Sequence, residues 1–369
     1  MKRKIKVLHL VSHLDSIGGM ETIVAKIAAH LNRDQFETEI WCISKGGRLA
    51  DELKSQGLSI RVLGINTYHN PLNIIKLAWL FRRAHADIIH THIYFTSTIG
   101  RLAGKLAGVK VLISHVHSMY WHYSFRNLLI ERILSKMTRR IICVSDHVKD
   151  FVINHEKINP LKVKVVYNGV LRQDGLSRGE SRELFAVKDS EIIITIVANL
   201  LEGKGHKVLL NALSLVLKQH HDLKCWIVGE GPLDSNLKAY AKQLNIESNV
   251  KFWGSRKDVP QILTASDIFV LPSIQREGLS IAAIEAMAYH VPVILSDTGG
   301  LSELIDHQKN GLLVASGDVI DLSKAMEELI TNPEKRAFFA KEAAKKYEQC
   351  FHLKEMILKI EKIYKEEFL

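Results

Sequence analysis

The stretch IFVLPSIQREGLSIAAIEAMAY, residues 268–289, contains a short apolar strand, a polar loop with one glycine, and an apolar helix in succession. The strand covers Ile268-Phe269-Val270-Leu271, and the helix Ile281–Tyr289 follows Ser280. The same strand–loop–helix succession recurs along almost the whole chain. Such alternation predicts an α/β fold with doubly wound parallel sheets.

The alternation falls into two similar halves. In the first half we predict strands at Ile5–Val11, Thr38–Ile43, Ile60–Leu63, Asp87–His90, Val109–Ile113, Arg140–Val144 and Val163–Tyr167. In the second half we predict them at Ile192–Val197, Leu223–Val228, Val250–Trp253, Ile268–Leu271, Val291–Leu295 and Gly311–Val314. A polar, glycine-bearing stretch separates the halves, and the glycine-free tail from Pro333 has a helical composition. The predicted domains are therefore 1–173 (Rossmann-like, acceptor side), 174–190 (linker), 191–345 (Rossmann-like, nucleotide-sugar side) and 346–369 (a helix returning to the first domain).

Length and charge agree with two domains and indicate an anionic partner. The chain has 369 residues, more than one hydrophobic core usually serves, and a net charge of +10. Up to Arg172 there are 26 Lys and Arg against 12 Asp and Glu, and beyond it 24 against 28. A basic half is typical of proteins that meet nucleic acid, phosphorylated substrates or an acidic membrane, and solubility alone is the simpler alternative.

The location is predicted from cysteines and hydropathy. The four cysteines are isolated, without CxxC or zinc spacing, which favours a reducing, cytoplasmic compartment. Polar residues interrupt the apolar run after the basic start, so we interpret that run as a strand and not as a signal peptide. Because no run is long enough to span a bilayer, membrane contact is expected to be peripheral, on the inner face of the cell membrane.

Two glutamates follow the strand at 268–271: Glu277 lies in the loop after it, and Glu285 lies in the next helix. Open α/β sheets bind ligands at the carboxyl ends of their strands, and the N-terminus of the helix that starts after Ser280 would attract an anion. Glu285 would lie about one turn into that helix, where a carboxylate accepts hydrogen bonds from sugar or ribose hydroxyls. Taken alone, two carboxylates on a surface helix are also a common incidental feature.

Further candidates lie at other strand ends. Lys204, in Gly203-Lys204-Gly205, could approach a diphosphate, although a solvated turn lysine fits as well. Gly18 and Gly19 permit close backbone approach to a ligand or simply form a tight turn. Histidines alternate in two pairs that could bind a metal, but no carboxylate accompanies them, so no metal site is predicted: these are His90, His92, His115 and His117.

An aromatic and basic segment follows His117. The loop from Ser118 to Arg126 suits a sugar platform or a membrane interface. In the next helix we expect the apolar residues at helical spacing to belong to the core; they are Leu128, Leu129, Ile133 and Leu134.

Several ordered motifs together resemble the retaining glycosyltransferases of family 4, which have the GT-B fold of two Rossmann-like domains facing across a cleft. The motifs are Glu277-x7-Glu285, Leu271-Pro272-Ser273, Glu285-Ala286-Met287-Ala288, Asp297-Thr298-Gly299-Gly300, Val228-Gly229-Glu230-Gly231-Pro232, Tyr167-Asn168-Gly169-Val170 and Asn310-Gly311-Leu312-Leu313-Val314. The resemblance covers nearly the whole chain. It implies transfer of a sugar from a nucleoside diphosphate sugar, UDP- or GDP-linked, to a hydroxyl of a glycan or lipid-linked acceptor in polysaccharide synthesis.

The resemblance also implies roles for individual residues. Glu277 and His117 would contact the donor sugar, Glu285 the ribose, and Lys204 the leaving diphosphate. The backbone of Gly278, Leu279 and Ser280, with Gly18 and Gly19, would meet the diphosphate or sugar. The family is metal-independent, so no cofactor is expected besides the donor, and the acceptor proton would pass to the departing phosphate. Asn199 stands where the family usually has an arginine, which removes one charge from the predicted phosphate contacts.

Two other functions stay open from the sequence. A nucleic-acid-binding protein is supported by the basic half alone, since no recognised module is present and nucleic acid is not an expected partner. A GT-B relative that epimerises a sugar nucleotide without an acceptor is the second alternative.

Overall fold

The computed structural model describes residues 3–14, 18–66, 70–119 and 124–369. They form two compact units, one of Met1–Gly169 with Lys354–Leu369 and the other of Val170–Leu353. Each unit is described below by itself. No helix among the described residues is both long and apolar enough to cross a membrane.

The first unit contains a fully parallel seven-stranded sheet in the order β3-β2-β1-β4-β5-β6-β7. Its strands are β1 (Ile5–Leu14), β2 (Phe36–Gly46), β3 (Ile60–Val62), β4 (Ile88–His92), β5 (Val111–Val116), β6 (Arg140–Cys143) and β7 (Val163–Val165). Its helices are α1 (Gly19–His30), α2 (Arg48–Ser55), α3 (Pro71–Arg83), α4 (Tyr94–Ala107), α5 (Phe125–Met137) and α6 (Asp146–Asn154). Helices cover both faces of the sheet, as the alternation predicts.

The side chains of β1 and β2 divide between two cores. Leu8, Leu10 and Trp41 pack with residues of α3 and α4. Val11, Ile40 and their neighbours pack with residues of α1 and α2. The helices α1 and α2 therefore lie on one face of the sheet, and α3 and α4 lie on the other.

The second unit contains a parallel six-stranded sheet in the order β10-β9-β8-β11-β12-β13. Its strands are β8 (Ile192–Val197), β9 (Leu223–Val228), β10 (Val250–Gly254), β11 (Ile268–Leu271), β12 (Val293–Ser296) and β13 (Leu312–Val314). Its helices are α7 (Arg178–Leu184), α8 (His206–Val216), α9 (Asp234–Gln243), α10 (Val259–Ala265), α11 (Ile281–Ala288), α12 (Leu301–Leu304), α13 (Val319–Thr331) and α14 (Pro333–Lys346). The predicted doubly wound parallel sheets are confirmed in both units.

The C-terminal residues return to the first unit. A π-helical turn, Tyr347–Phe351, precedes α15 (Leu353–Phe368). On α15, the Glu361 carboxylate accepts a hydrogen bond from Asn32 N at 2.8 Å, and the Tyr364 hydroxyl lies 2.6 Å from His90 Nδ1. Ile360 and Tyr364 are fully buried. The predicted return of the tail therefore rests on both apolar packing and polar contacts.

The observed units differ from the predicted boundaries at the linker. Residues 174–190 lie in the second unit and contain α7, whose Ser177 and Glu180 form a capping box. Arg178 and Arg182 on α7 both bond to the carboxylate of Asp267, just before β11. The stretch has a polar composition because its contacts are ionic, and its composition therefore resembles that of a linker.

Candidate functional site

The loops after β8 and β11 lie side by side because these two strands pair at the centre of the second sheet. From β8, the following strands β9 and β10 extend the sheet to one side, whereas β11, β12 and β13 extend it to the other. Open α/β sheets bind ligands at the point where the order of strands changes in this way. The amides of Ile274 and Gln275 donate to the Gly203 carbonyl at 2.9 and 3.3 Å. These bonds join the two predicted loops into one surface.

Lys204 and Glu277 meet on this surface. Lys204 Nζ lies 2.9 Å from Glu277 Oε2, and the side chains keep 30% and 13% of their surface exposed. The Ser273 hydroxyl, which is buried, donates to Glu277 Oε1. Both carboxylate oxygens of Glu277 are therefore held in place, one by a charge and one by a hydroxyl.

A glycine at position 205 makes this arrangement possible. Gly205 has φ of +73°, and a Cβ atom there would overlap the carbonyl oxygen of Pro272. Only glycine combines the left-handed backbone with so close an approach. The Gly203-Lys204-Gly205 pattern thus reflects the contact between the two loops.

The N-terminus of α11 faces the same loop. Ser280 caps the helix by accepting a hydrogen bond from Ala283 N at 3.2 Å. Among the described residues, the amides of Gly278, Leu279 and Ser280 donate no hydrogen bond to a backbone carbonyl. Free amides at the positive end of a helix dipole bind anions. Glu285 lies farther along α11 and is half-buried.

Asn199 lies in the loop directly after β8 and is exposed. The amides of its neighbours Ala198 and Leu200 donate to Val228 and Glu230 carbonyls, so the backbone of this loop is fixed against the loop that follows β9. In the described part of the chain, no hydrogen bond joins the Asn199 side chain to Lys204 or Glu277. The position predicted for a phosphate contact is thus presented to solvent without a charge.

Two residues of this surface were missed as site residues by the sequence reasoning. Ser273 was noted only as part of a motif, although a polar residue two positions after the end of a buried strand is a signal for a site at the sheet edge. His206, the first residue of α8, is buried, and burial, with the charge of Lys204 in addition, lowers its pKa to about 4. Its ring is therefore neutral at neutral pH beside the Lys204 loop.

The predicted histidines of the first unit come together at the carboxyl ends of β4 and β5. His92 is in register with His115, and His90 is in register with His9 of β1. The rings of His90 and His115 stack with centroids 5.3 Å apart, and those of His115 and His117 with centroids 4.2 Å apart. His9 is a member that the sequence reasoning missed; a single histidine within the apolar strand Ile5–Val11 was its only signal.

A chain of hydrogen bonds links three of these rings. His9 Nδ1 lies 3.3 Å from His92 Nε2, and His92 Nδ1 lies 3.0 Å from His117 Nε2. Burial lowers the pKa of His9 to about 3 and lowers the pKa of His117 as well. Because a neutral imidazole has one donor and one acceptor, consistent tautomers satisfy both bonds of His92. Through these bonds, the buried histidines orient the partly exposed ring of His117.

The same cluster contains two sets of three histidines whose ring nitrogens lie close together. Ring nitrogens lie within 4.8 Å of one another in the group His9, His90, His92 and in the group His92, His115, His117. Neither ring nitrogen of His115 has a hydrogen-bond partner among the described residues. The prediction that no metal is bound remains a prediction.

The remaining predicted residues lie at the start of α1. Gly18 is its N-cap in an extended conformation, and Gly19 is its first residue. The Gly18 carbonyl accepts from the amide and the hydroxyl of Thr22 at 3.0 and 2.8 Å. The preceding loop residues 15–17, and the aromatic residues 120–123 predicted as a sugar platform or membrane interface, lie outside the described residues.

Comparison with known proteins agrees with this architecture. Solved structures with the same fold include a glycosyltransferase from Rickettsia africae ESF-5, at a TM-score of 0.88 and 24% identity over 99% of this chain and 98% of that one. They also include Anabaena HepE in complex with UDP and glucose, at a TM-score of 0.86 and 23% identity over 98% of this chain and 100% of that one. The two-domain GT-B fold is thereby confirmed.

Similarity in sequence identifies the family. The UDP-Gal:alpha-D-GlcNAc-diphosphoundecaprenol alpha-1,3-galactosyltransferase of Escherichia coli is 27% identical over 381 aligned positions, which cover 98% of this chain and 97% of that protein. The family model for glycosyltransferase family 4 matches residues 17–172, and the model for glycosyl transferases group 1 matches residues 177–346. The chain therefore belongs to the family 4 glycosyltransferases, with both characteristic halves present.

Proposed function

We propose that the chain transfers a hexose from a nucleoside diphosphate sugar to a hydroxyl of a glycan or lipid-linked acceptor, with retention at the anomeric carbon and without a metal ion. The observation that carries the proposal is the 2.9 Å contact between Lys204 Nζ and Glu277 Oε2 beside the N-terminus of α11. A cation and free amides donate hydrogen bonds to a diphosphate, and a carboxylate accepts hydrogen bonds from the hydroxyls of a sugar.

Lys204 binds and stabilises the diphosphate as it leaves. Its ammonium has three protons, so it can donate to a phosphate oxygen while it keeps its contact with Glu277. The amides of Gly278, Leu279 and Ser280 add further donors at the helix end. These groups stabilise the charge that develops on the leaving group, which supports transfer without a divalent ion.

The carboxylates bind the sugars of the donor. Glu277, fixed by Ser273 and Lys204, accepts hydrogen bonds from hydroxyls of the transferred hexose, and Glu285 accepts them from the ribose. Asn199 contributes at most a neutral hydrogen bond to phosphate.

The roles of Gly18, Gly19 and His117 rest on the family resemblance. His117 would act as a neutral hydrogen-bonding group, because its pKa is lowered by burial. On the same resemblance, the acceptor proton would pass to the departing phosphate.

UDP is the first nucleotide to test, with GDP as the alternative. The Escherichia coli relative is named as a transferase that uses UDP-Gal, and the Anabaena structure contains UDP and glucose. The name of that relative also gives a diphosphoundecaprenol-linked sugar as its acceptor, which supports a lipid-linked acceptor here.

Calorimetric titration with UDP tests the phosphate site. Lys204→Gln should weaken UDP binding by about tenfold, the effect of one lost charge-assisted hydrogen bond. Lys207→Gln removes the same charge from an exposed position on α8 and serves as the matched control. Equal UDP affinity in the two variants would refute the role of Lys204, and unchanged affinity in Glu285→Gln would refute ribose binding.

Hydrolysis of a panel of nucleotide sugars, followed by transfer to a lipid-linked acceptor, tests the reaction. Proton NMR of the product should show the anomeric configuration of the donor, and EDTA should leave the rate unchanged. Inversion, or loss of activity that a divalent ion restores, would contradict the proposal. An epimerised nucleotide sugar formed without acceptor would instead identify an epimerase.

A further inference from the structure

The outer surface of α3, in the first unit, is apolar although it is exposed. Leu72, Ile75 and Trp79 are 67%, 60% and 54% exposed and lie three and four residues apart, on one side of the helix. The opposite side of the same helix places Leu77 and Phe81 in the core. An amphipathic helix would have polar residues on its outer side.

The helices α4 and α5 also have exposed apolar side chains. On α5, Phe125, Leu129 and Ile133 are 76%, 45% and 50% exposed at a spacing of four residues. The expectation that Leu129 and Ile133 belong to the core is therefore wrong, whereas Leu134 is buried as expected. On α4, which packs against both α3 and α5, Leu106 is 58% exposed. We call the outer side of these helices the α3–α5 face.

The helices α1 and α2, on the opposite side of the sheet, do not share this property. The helices α1 and α2, which pack on the other side, have no exposed large apolar side chain, and both lie within the described residues. Solubility requirements are the same on both sides. Several large apolar side chains exposed on neighbouring helices are typical of an interaction surface.

The charges of the α3–α5 face all have one sign. Glu131 is the only acidic residue on α3, α4 and α5, and it is buried in a bidentate pair with Arg101. The other charged residues are basic: Lys76, Arg82, Arg83, Lys105, Arg126, Arg132 and Lys136. Arg83 also lies over the ring of Trp79, 4.6 Å from its centroid.

We propose that the α3–α5 face binds the surface of an anionic lipid bilayer, with its apolar side chains among the acyl chains and its cations on the lipid phosphates. Apolar side chains bordered by Lys and Arg, with a tryptophan at the boundary, are typical of interfacial helices. A bound nucleic acid would not cover the apolar side chains favourably, because protein–nucleic acid interfaces are polar. A second copy of the chain would place cations against cations. This inference does not depend on the donor or the mechanism proposed above.

Co-sedimentation of the full chain with vesicles tests the proposal. Vesicles of phosphatidylcholine with phosphatidylglycerol should bind the protein at low ionic strength and release it at high ionic strength, and phosphatidylcholine alone should bind it weakly. Lys76→Gln/Arg83→Gln/Lys136→Gln should reduce binding by about 100-fold, which is about fivefold for each cation at an anionic surface. Ile75→Ser/Trp79→Ser should reduce it by about tenfold or more, because apolar burial is lost.

The matched control is Lys26→Gln/Arg48→Gln/Lys54→Gln, which removes the same charge from α1 and α2. It should bind nearly as well as the parent protein. Equal loss in this control would show that only net charge matters and would overturn the proposal. It would also be overturned by the absence of binding to anionic vesicles, by retention on duplex DNA without vesicle binding, or by a dimer that Ile75→Ser/Trp79→Ser abolishes.

Discussion

The buried histidine cluster should make the stability of the first unit depend on pH, and His9 allows the size of the effect to be calculated. Burial lowers the pKa of His9 from 6.5 to about 3. Above pH 6.5, the pKa of histidine in the unfolded chain, the ring is neutral in both the folded and the unfolded state, so His9 causes no loss of stability. As the pH falls below 6.5 toward 3, only the unfolded chain takes up the proton. Lowering the pH from about 7 to about 5 therefore decreases the free energy of unfolding of the first unit by roughly 2 kcal/mol through His9 alone.

A buried carboxyl in the same unit acts in the opposite direction. Burial, together with the charge of Glu131, raises the pKa of Glu156 to about 8, so the folded state keeps a proton that the unfolded state releases. Acidification from about pH 7 to pH 5 therefore increases stability through Glu156 by roughly 2.5 kcal/mol. The pH dependence of the parent protein mixes both effects. The difference between the parent and His9→Gln isolates the contribution of His9.

Thiol labelling measures the stability of each unit separately, which is needed because two units need not unfold together. Cys42 on β2 and Cys225 on β9 are both fully buried. Maleimide labelling of each cysteine across a urea series, read by mass spectrometry, gives the free energy of unfolding at that site. In His9→Gln, the change at Cys42 between pH 7 and pH 5 should be less destabilising than in the parent by about 2 kcal/mol.

Two comparisons control this measurement. Cys225 should show no effect of the His9 substitution, because it lies in the other unit. His85→Asn removes an exposed histidine of the first unit and should keep the pH dependence of the parent. The same pH dependence in His9→Gln and in the parent would refute the reasoning.

Three further predictions use the same labelling assay. Glu156→Gln should stabilise the first unit by up to about 4 kcal/mol at pH 8 and have little effect near pH 4, and equal effects at both would show that the carboxyl is not protonated in the folded state. Arg101→Leu should destabilise the first unit by about 3–5 kcal/mol, because Glu131 would keep a buried charge without its partner, and Arg101→Leu/Glu131→Leu should recover much of the loss; a double variant no more stable than the single one would contradict this. Gly205→Ala should destabilise the second unit by more than about 1 kcal/mol at Cys225 and leave Cys42 unchanged, because of the positive φ and the overlap with Pro272; full stability would show that the loop adapts.

The α/β pattern could be predicted because it depends on local properties of the chain. Each strand is a short apolar run and each helix has its own spacing, so both sheets follow from the order of elements. The positions of Lys204 and Glu277 at strand ends were predictable for the same reason. Their meeting depends on β8 pairing with β11, and that pairing was observed only in the tertiary structure.

Contacts between distant residues required the tertiary structure. His9 joins His92 only because β1 and β4 are neighbours, and the ionic contacts of α7 with Asp267 became visible only when α7 and β11 were placed together. The partners in both cases are separated by more than 70 residues. No local pattern specifies which polar residue a distant strand will bring into contact.

The sequence by itself determined the order of strands and helices, the family, and the loops that carry Lys204 and Glu277. Only the tertiary structure decided which apolar side chains are buried. Leu129 and Leu134 have the same chemistry and both fit a helical spacing, yet one is 45% exposed and the other 2%. The physical reason is that helical spacing marks a stripe on a helix, whereas the neighbouring elements determine whether that stripe faces the core or the outside.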